Sequence, residues 1–70
     1  MLKAMIVDDE APARSELKFL LEEIGDVEVA VEADNVRKAI ESLKEHRVDV
    51  MFLDINMPGV NGMQFAEALS

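Results

Sequence analysis

The sequence predicts an α/β fold on parallel strands, in the order β-α-β-α-β-α, and three observations predict it. Two short apolar runs, residues 2–7 and 48–53, each stop at carboxylates, Asp8-Asp9 in one case and Asp54 in the other. Two intervening stretches carry apolar residues at the three-and-four spacing of a helix. Between those helices lies a segment that alternates with a period of two, as a strand with one wetter face does. Connections this long between strands are helical crossovers of right-handed, parallel type.

The first run, Leu2-Lys3-Ala4-Met5-Ile6-Val7, is strand one. Pro12 suits a first helical turn, where its missing N–H has no partner to lose. Leu17, Leu20, Leu21 and Ile24 then form an apolar stripe with Glu16, Glu22 and Glu23 outside it, and Gly25 stops the helix. Val27, Val29 and Val31 alternate with Glu28, Ala30 and Glu32, whose charges suit an edge strand. Asp34 or Asn35 caps a second helix with the stripe Val36, Ala39, Ile40 and Leu43. Lys44, His46 and Arg47 close it, favourably for the helix dipole.

In the run before Asp54, five of six residues are apolar, which predicts a strand buried on both faces. Asn56, Pro58 and Gly59 read as the turn that follows. Asn61, with Gln64 three residues on, would cap a third helix whose buried side is Phe65, Ala66 and Leu69. Met5, Met51, Met57 and Met63 fall on different elements and read as core or loop filling. Arg14 and Lys18, four apart, read as a solvated helix face.

Composition narrows the function. A chain of 70 residues is one small domain, and a domain of that size buries only about 60% of its unfolded surface. Without cysteine there is neither a disulfide framework nor a thiolate metal site. Fifteen acidic residues against seven basic give a net charge of −8, which argues against direct nucleic-acid binding. No apolar run approaches the roughly 20 residues of a membrane span, and the start lacks the regions of a signal peptide. A cytoplasmic location with no membrane partner is the expectation.

Parallel strands one and three end on the same edge, where open α/β sheets bind their ligands. That edge gathers Asp8, Asp9 and Asp54 from distant parts of the chain. Carboxylates about 4 Å apart repel by roughly 1 kcal/mol in bulk water and about 4 at an effective dielectric near 20, so the cluster asks for a cation. An all-oxygen site suits Mg²⁺, which keeps waters that a phosphate can displace. Asp54 beside it could act as a nucleophile, because carboxylates form acyl phosphates.

The motifs Ile6-Val7-Asp8-Asp9-Glu10 and Phe52-Leu53-Asp54-Ile55-Asn56-Met57-Pro58-Gly59-Val60-Asn61-Gly62 resemble the receiver domain of two-component response regulators. The resemblance implies a flavodoxin-like sheet in which Asp54 accepts a phosphoryl group from a sensor histidine kinase. It implies signalling, not an enzyme. It also implies Mg²⁺ held directly by Asp9, Asp54 and the backbone carbonyl of Asn56, with Asp8 acting mostly through water, and kinase contacts on the first helix near Arg14 and Lys18. The run from Asp8 to Arg14, with Leu17 and Leu20 following, is similar to receivers attached to LytTR-type DNA-binding domains.

Receivers of this family order about five strands as 2-1-3-4-5, whereas residues 1–70 supply three. The expectation is a truncated receiver of order 2-1-3, ending at Ser70 and without strands four and five. The family's hydroxyl and lysine contacts to the phosphoryl group belong to that missing part. Strand three then becomes an open apolar edge, and the chain is expected to form a homodimer through residues 48–53. Two other readings stand beside this one. One is a phosphorylation-incompetent or engineered half-domain that folds by self-association. The other is a haloacid-dehalogenase-like phosphatase, whose motif needs an acid where Asn56 stands.

Overall fold

The computed structural model describes residues 1–57. The third helix, its cap at Asn61, the residues Pro58 and Gly59, and Met63 lie outside the described residues. Five elements follow in order: β1 (Leu2–Val7), α1 (Ala11–Ile24), β2 (Val27–Ala33), α2 (Val36–Glu45) and β3 (Val50–Leu53). The three strands form one parallel sheet of order β2-β1-β3, the α/β order expected.

β1 is the axis of the sheet because it is the apolar run with a neighbour on each side. Ala4, Met5, Ile6 and Val7 are all 1% exposed or less. Alternate residues of a strand point to opposite faces. Met5 and Val7 join Ala33, Ala39 and Met57 in the core beneath α2, with Val36, Ile40, Leu43, Met51 and Leu53 packed against it. Ile6 points to the other face, toward Leu17 of α1 and Phe52 of β3. Met57 sits in the core at 5% exposure, so the chain returns inward after passing the end of β3.

The helix ends have local causes. Asn35 is the N-cap of α2, and its side-chain oxygen accepts the Lys38 N–H at 2.8 Å. His46 closes that helix by donating its N–H to the Ser42 carbonyl at 2.9 Å, with Nδ1 3.2 Å from the same oxygen. Gly25 ends α1 in the left-handed region at φ 90°, a conformation that glycine adopts without penalty.

Three expectations need correction. β3 begins at Val50, although the ladder is already being prepared by Asp49, whose N–H donates to the Lys3 carbonyl at 2.7 Å and whose carboxylate accepts the Lys3 N–H at 2.8 Å. Its four residues are half-buried where full burial was expected; β1 pairs with one edge of the strand, and no strand pairs with the other edge among the described residues. On α1 the stripe is narrower than its spacing implies. Leu21 is buried and Leu17 half-buried, while Leu20 and Ile24 are 52% and 66% exposed. At 100° per residue Leu17 and Leu21 face the sheet, and Leu20 and Ile24 form a second i, i+4 row on the flank turned away from β2.

Nothing lies within 4 Å of a methyl group placed on Gly25, so a substitution there meets backbone strain alone. Gly25→Ala is expected to cost about 1 kcal/mol and to lower the midpoint of thermal unfolding by about 4–8 °C in a domain of this size. Gly25→Asn should lose less, since asparagine tolerates the left-handed region. Circular dichroism melts of the three proteins measure it.

Candidate functional site

The carboxyl edge of the sheet is built by continuing the two ladders one residue past β1 and β3. The Asp8 N–H donates to the Ala33 carbonyl at 3.0 Å, and the Asp54 N–H donates to the Val7 carbonyl at 3.0 Å. Both aspartates are therefore fixed by their backbones at neighbouring strand ends. The structure brings Asp8, Asp9 and Asp54 together, with one carboxylate oxygen of each lying within 4.8 Å of those of the other two. Asp8 and Asp54 are half-buried and Asp9 is exposed.

Each of the two strand-end carboxylates also organises the loop that leaves it. Asp8 Oδ1 accepts the Glu10 N–H at 2.9 Å, and Asp54 Oδ1 accepts the Asn56 N–H at 2.9 Å. These turns, in which an aspartate side chain bonds the backbone two residues on, fold the chain sharply at the end of a strand. The second is followed by a longer bond from the Met57 N–H to the Asp54 carbonyl, 3.4 Å. Asn56 is exposed, with its amide committed to Asp54. One oxygen of the Asp54 carboxylate, Oδ1, holds the loop, and among the described residues no hydrogen bond reaches the other.

Asp8 and Asp54 border an open cavity of about 320 Å³, with Ile6, Val7, Leu17, Phe52 and Leu53 as its other walls. A polar recess of about 340 Å³ lined by Arg14, Glu32, Ala33, Asp34 and Lys38 opens at the end of β2. There Lys38 lies 3.2 Å from Asp34 Oδ1, and this contact holds the Asp34 carboxyl below its ordinary range. The contribution of that pair to stability is present above the ordinary carboxylate pKa and fades as the pH falls through the lowered one.

Arg14 departs from the solvated face expected of it. Its side chain is 19% exposed, its Nη1 donates to the Asp8 carbonyl at 2.7 Å, and its Nε lies 3.5 Å from Glu32 Oε1. Lys18 reaches the same glutamate at 3.8 Å. The i, i+4 spacing of Arg14 and Lys18 shows that they share a face, but it does not show that β2 lies beneath that face. The charge at Glu32, legible as an edge-strand feature, was the available signal: an acidic residue on the outer strand invites cations from the helix that covers it.

The three clustered oxygens fit a hard cation. Octahedral Mg²⁺ at about 2.1 Å from each ligand needs oxygen pairs about 3 to 4.2 Å apart, a spacing that lies inside the 4.8 Å within which the three aspartate oxygens fall. Without a cation that ring is a focus of repulsion. In chelator-treated buffer Asp9→Asn is expected to melt a few degrees above the parent protein, because it removes one charge from the cluster and loses no hydrogen bond found among the described residues. The gain should shrink as salt is added, and thermal melts over a salt series check both features.

Comparison with known proteins adds the family. The response regulator receiver domain matches residues 4–70. A sensory transduction protein, LytT, of Bacillus cereus is 49% identical over 69 residues, covering 99% of this chain and 28% of the relative. An uncharacterized response regulatory protein of Yersinia pestis is 43% identical over 70 residues, 100% of this chain and 29% of the relative. The transcriptional regulatory protein LytR of Staphylococcus aureus strain N315 is 46% identical over 63 residues, 90% of this chain and 26% of the relative. The chain thus spans between 26% and 29% of the length of these relatives.

Proposed function

The chain belongs to the response regulator receiver domain family, and from that premise we propose that Asp54 accepts a phosphoryl group from a sensor histidine kinase, in the presence of Mg²⁺. Receiver domains are signalling modules of two-component systems. Residues 1–70 would be the first three β-α units of such a module, within a longer cytoplasmic regulator of transcription of the LytTR type. The relatives named LytT and LytR support that last assignment. The observation that carries the phosphoacceptor reading is the convergence of the Asp8, Asp9 and Asp54 oxygens at two adjacent strand ends.

Asp8, Asp9, Asp54 and the backbone carbonyl of Asn56 would hold the metal. When bound, Mg²⁺ supplies positive charge that offsets both the carboxylates and the phosphoryl oxygens. The remaining work falls to the chain. Asp54 Oδ1, tied to the Asn56 N–H, fixes the carboxylate plane. Oδ2, to which no hydrogen bond is made among the described residues, would supply the electron pair for a new O–P bond. The bond from phosphorus to the donor breaks, and the leaving group departs with its electrons. The open cavity beside Asp54 would give the donor its approach.

Intact mass of the full 70-residue chain after incubation with acetyl phosphate and Mg²⁺, beside Asp54→Asn, tests this. One phosphoryl adduct per chain is expected, stable in acid, labile in base and absent from the variant. Millimolar Mg²⁺ should also raise the melting temperature of the parent protein by relieving repulsion. No adduct would favour the alternative in which these residues fold without transferring phosphate, and steady release of phosphate from esters would mark the phosphatase chemistry instead.

A second reading concerns assembly. β3 carries the half-buried run Val50–Leu53 and pairs with β1 alone among the described residues. In residues 1–70 by themselves, a second copy laid against the edge at 48–53 would pair the backbone groups that no described strand meets, in a two-fold homodimer. A net charge of −8 on each copy opposes this, so the dimer should strengthen with salt. Light scattering across concentration and ionic strength is expected to show a dimer. A monomer throughout would end the idea.

A further inference from the structure

Arg14, a basic side chain that bonds the backbone of the acidic corner, does not behave as its counter-ion. Among the described residues Arg14 makes no ion pair with Asp8, Asp9 or Asp54. Its Nη1 bonds a backbone atom of the corner, the Asp8 carbonyl oxygen, at 2.7 Å, and its Nε faces Glu32 on β2 at 3.5 Å. Arg14 belongs to the first turn of α1, where its own N–H donates to the Glu10 carbonyl at 3.1 Å. The residue is therefore anchored at its backbone and at both ends of its guanidinium.

The bonded carbonyl belongs to the peptide that links Asp8 to Asp9. On the other side of Asp8, its N–H is held by Ala33 at 3.0 Å and its Oδ1 accepts the Glu10 N–H at 2.9 Å. Asp9 is exposed and has no side-chain hydrogen bond among the described residues. The preceding peptide plane limits where the Asp9 Cα–Cβ bond can point, and the Arg14 bond restrains that plane. Resting on the reading that Asp8, Asp9 and Asp54 hold a divalent cation, we propose that Arg14, itself oriented by Glu32, is the positioning residue that aims Asp9 into the cation site.

This role has the opposite sign to the one that charge alone gives. A guanidinium close to a cation site repels the cation, so a charge-only Arg14 makes binding weaker, and removing it makes binding tighter. A clamp makes binding stronger, and removing it lets the Asp8-Asp9 peptide rotate. Loss of such a supporting contact around a metal site costs about tenfold in affinity. Lysine keeps the charge and one donor but lacks the planar fork that reaches two acceptors at once.

Isothermal titration of Mg²⁺ alone into the full chain at fixed ionic strength, comparing the parent protein with Arg14→Lys and Arg14→Ala, decides between these. The expected order of affinity is parent, then Arg14→Lys, then Arg14→Ala, with the last weaker than the parent by about tenfold. Arg14→Ala binding as tightly as the parent, or more tightly, overturns the positioning role while leaving the cation site standing. Metal-free melts accompany the titrations. If Arg14→Ala is unfolded, the lysine variant decides, and an affinity equal to the parent's overturns the proposal. A parent protein without saturable Mg²⁺ binding overturns the cation reading, and this proposal with it.

Discussion

The parallel register of β1 with its two neighbours fixes everything at the carboxyl edge. Val7 lies opposite Ala33 on one side and Leu53 on the other, so the residues after these three leave the sheet at a common height. Side-chain direction alternates along a strand, and a slip of one residue in β3 would send Asp54 to the opposite face while moving it by about 3.3 Å along the strand. The register is held by apolar packing beneath it, since Met5, Val7, Met51 and Leu53 share the core with Ala33 and Ala39. The acidic corner is thus positioned by hydrocarbon, and no contact among the carboxylates themselves favours it.

That division shows why part of the molecule is legible in the sequence and part is not. Period and punctuation are local, so β1, both helices, the cap choice narrowed to Asp34 or Asn35, and the stop at Gly25 could be read directly. The meeting of Asp8, Asp9 and Asp54 followed from topology, because two parallel strands ending in carboxylates leave little freedom. Burial is a property of neighbours, and there the sequence runs out. Leu20 and Ile24 have the same spacing as Leu17 and Leu21, but the sheet lies under one row and not the other. Arg14 looked solvated for the same reason, since Glu32, which receives it, is eighteen positions away along the chain.

The start of β3 shows a subtler limit. A continuous apolar run marks a strand but not the residue at which pairing begins. Val48 belongs to the packing beneath α2, while the two-point contact between Asp49 and Lys3 brings the strand up to β1 before the ladder opens at Val50. Asp49 interrupts the apolar run because its carboxylate is used on the Lys3 backbone amide. A charged residue inside a hydrophobic stretch carried that information, although its partner forty-six positions earlier could not be read from it.

The accounting of backbone hydrogen bonds connects the fold to the chemistry. Every carbonyl of a central strand has a partner in the ladder until the strand ends, and the first one beyond it must find another or face water. At the end of β1 that carbonyl is Asp8's, and Arg14 meets it from the first turn of α1. The same bond that completes the edge of the sheet orients the peptide between the two leading aspartates. Arginine suits the place because its fork can serve the carbonyl and Glu32 together, which ties α1, β1 and β2 at one point. A neutral donor in its place would answer the carbonyl alone and leave β2 out of the corner. The acidic corner that apolar packing places is therefore also tied at its backbone by an arginine, which makes no ion pair with the three carboxylates among the described residues.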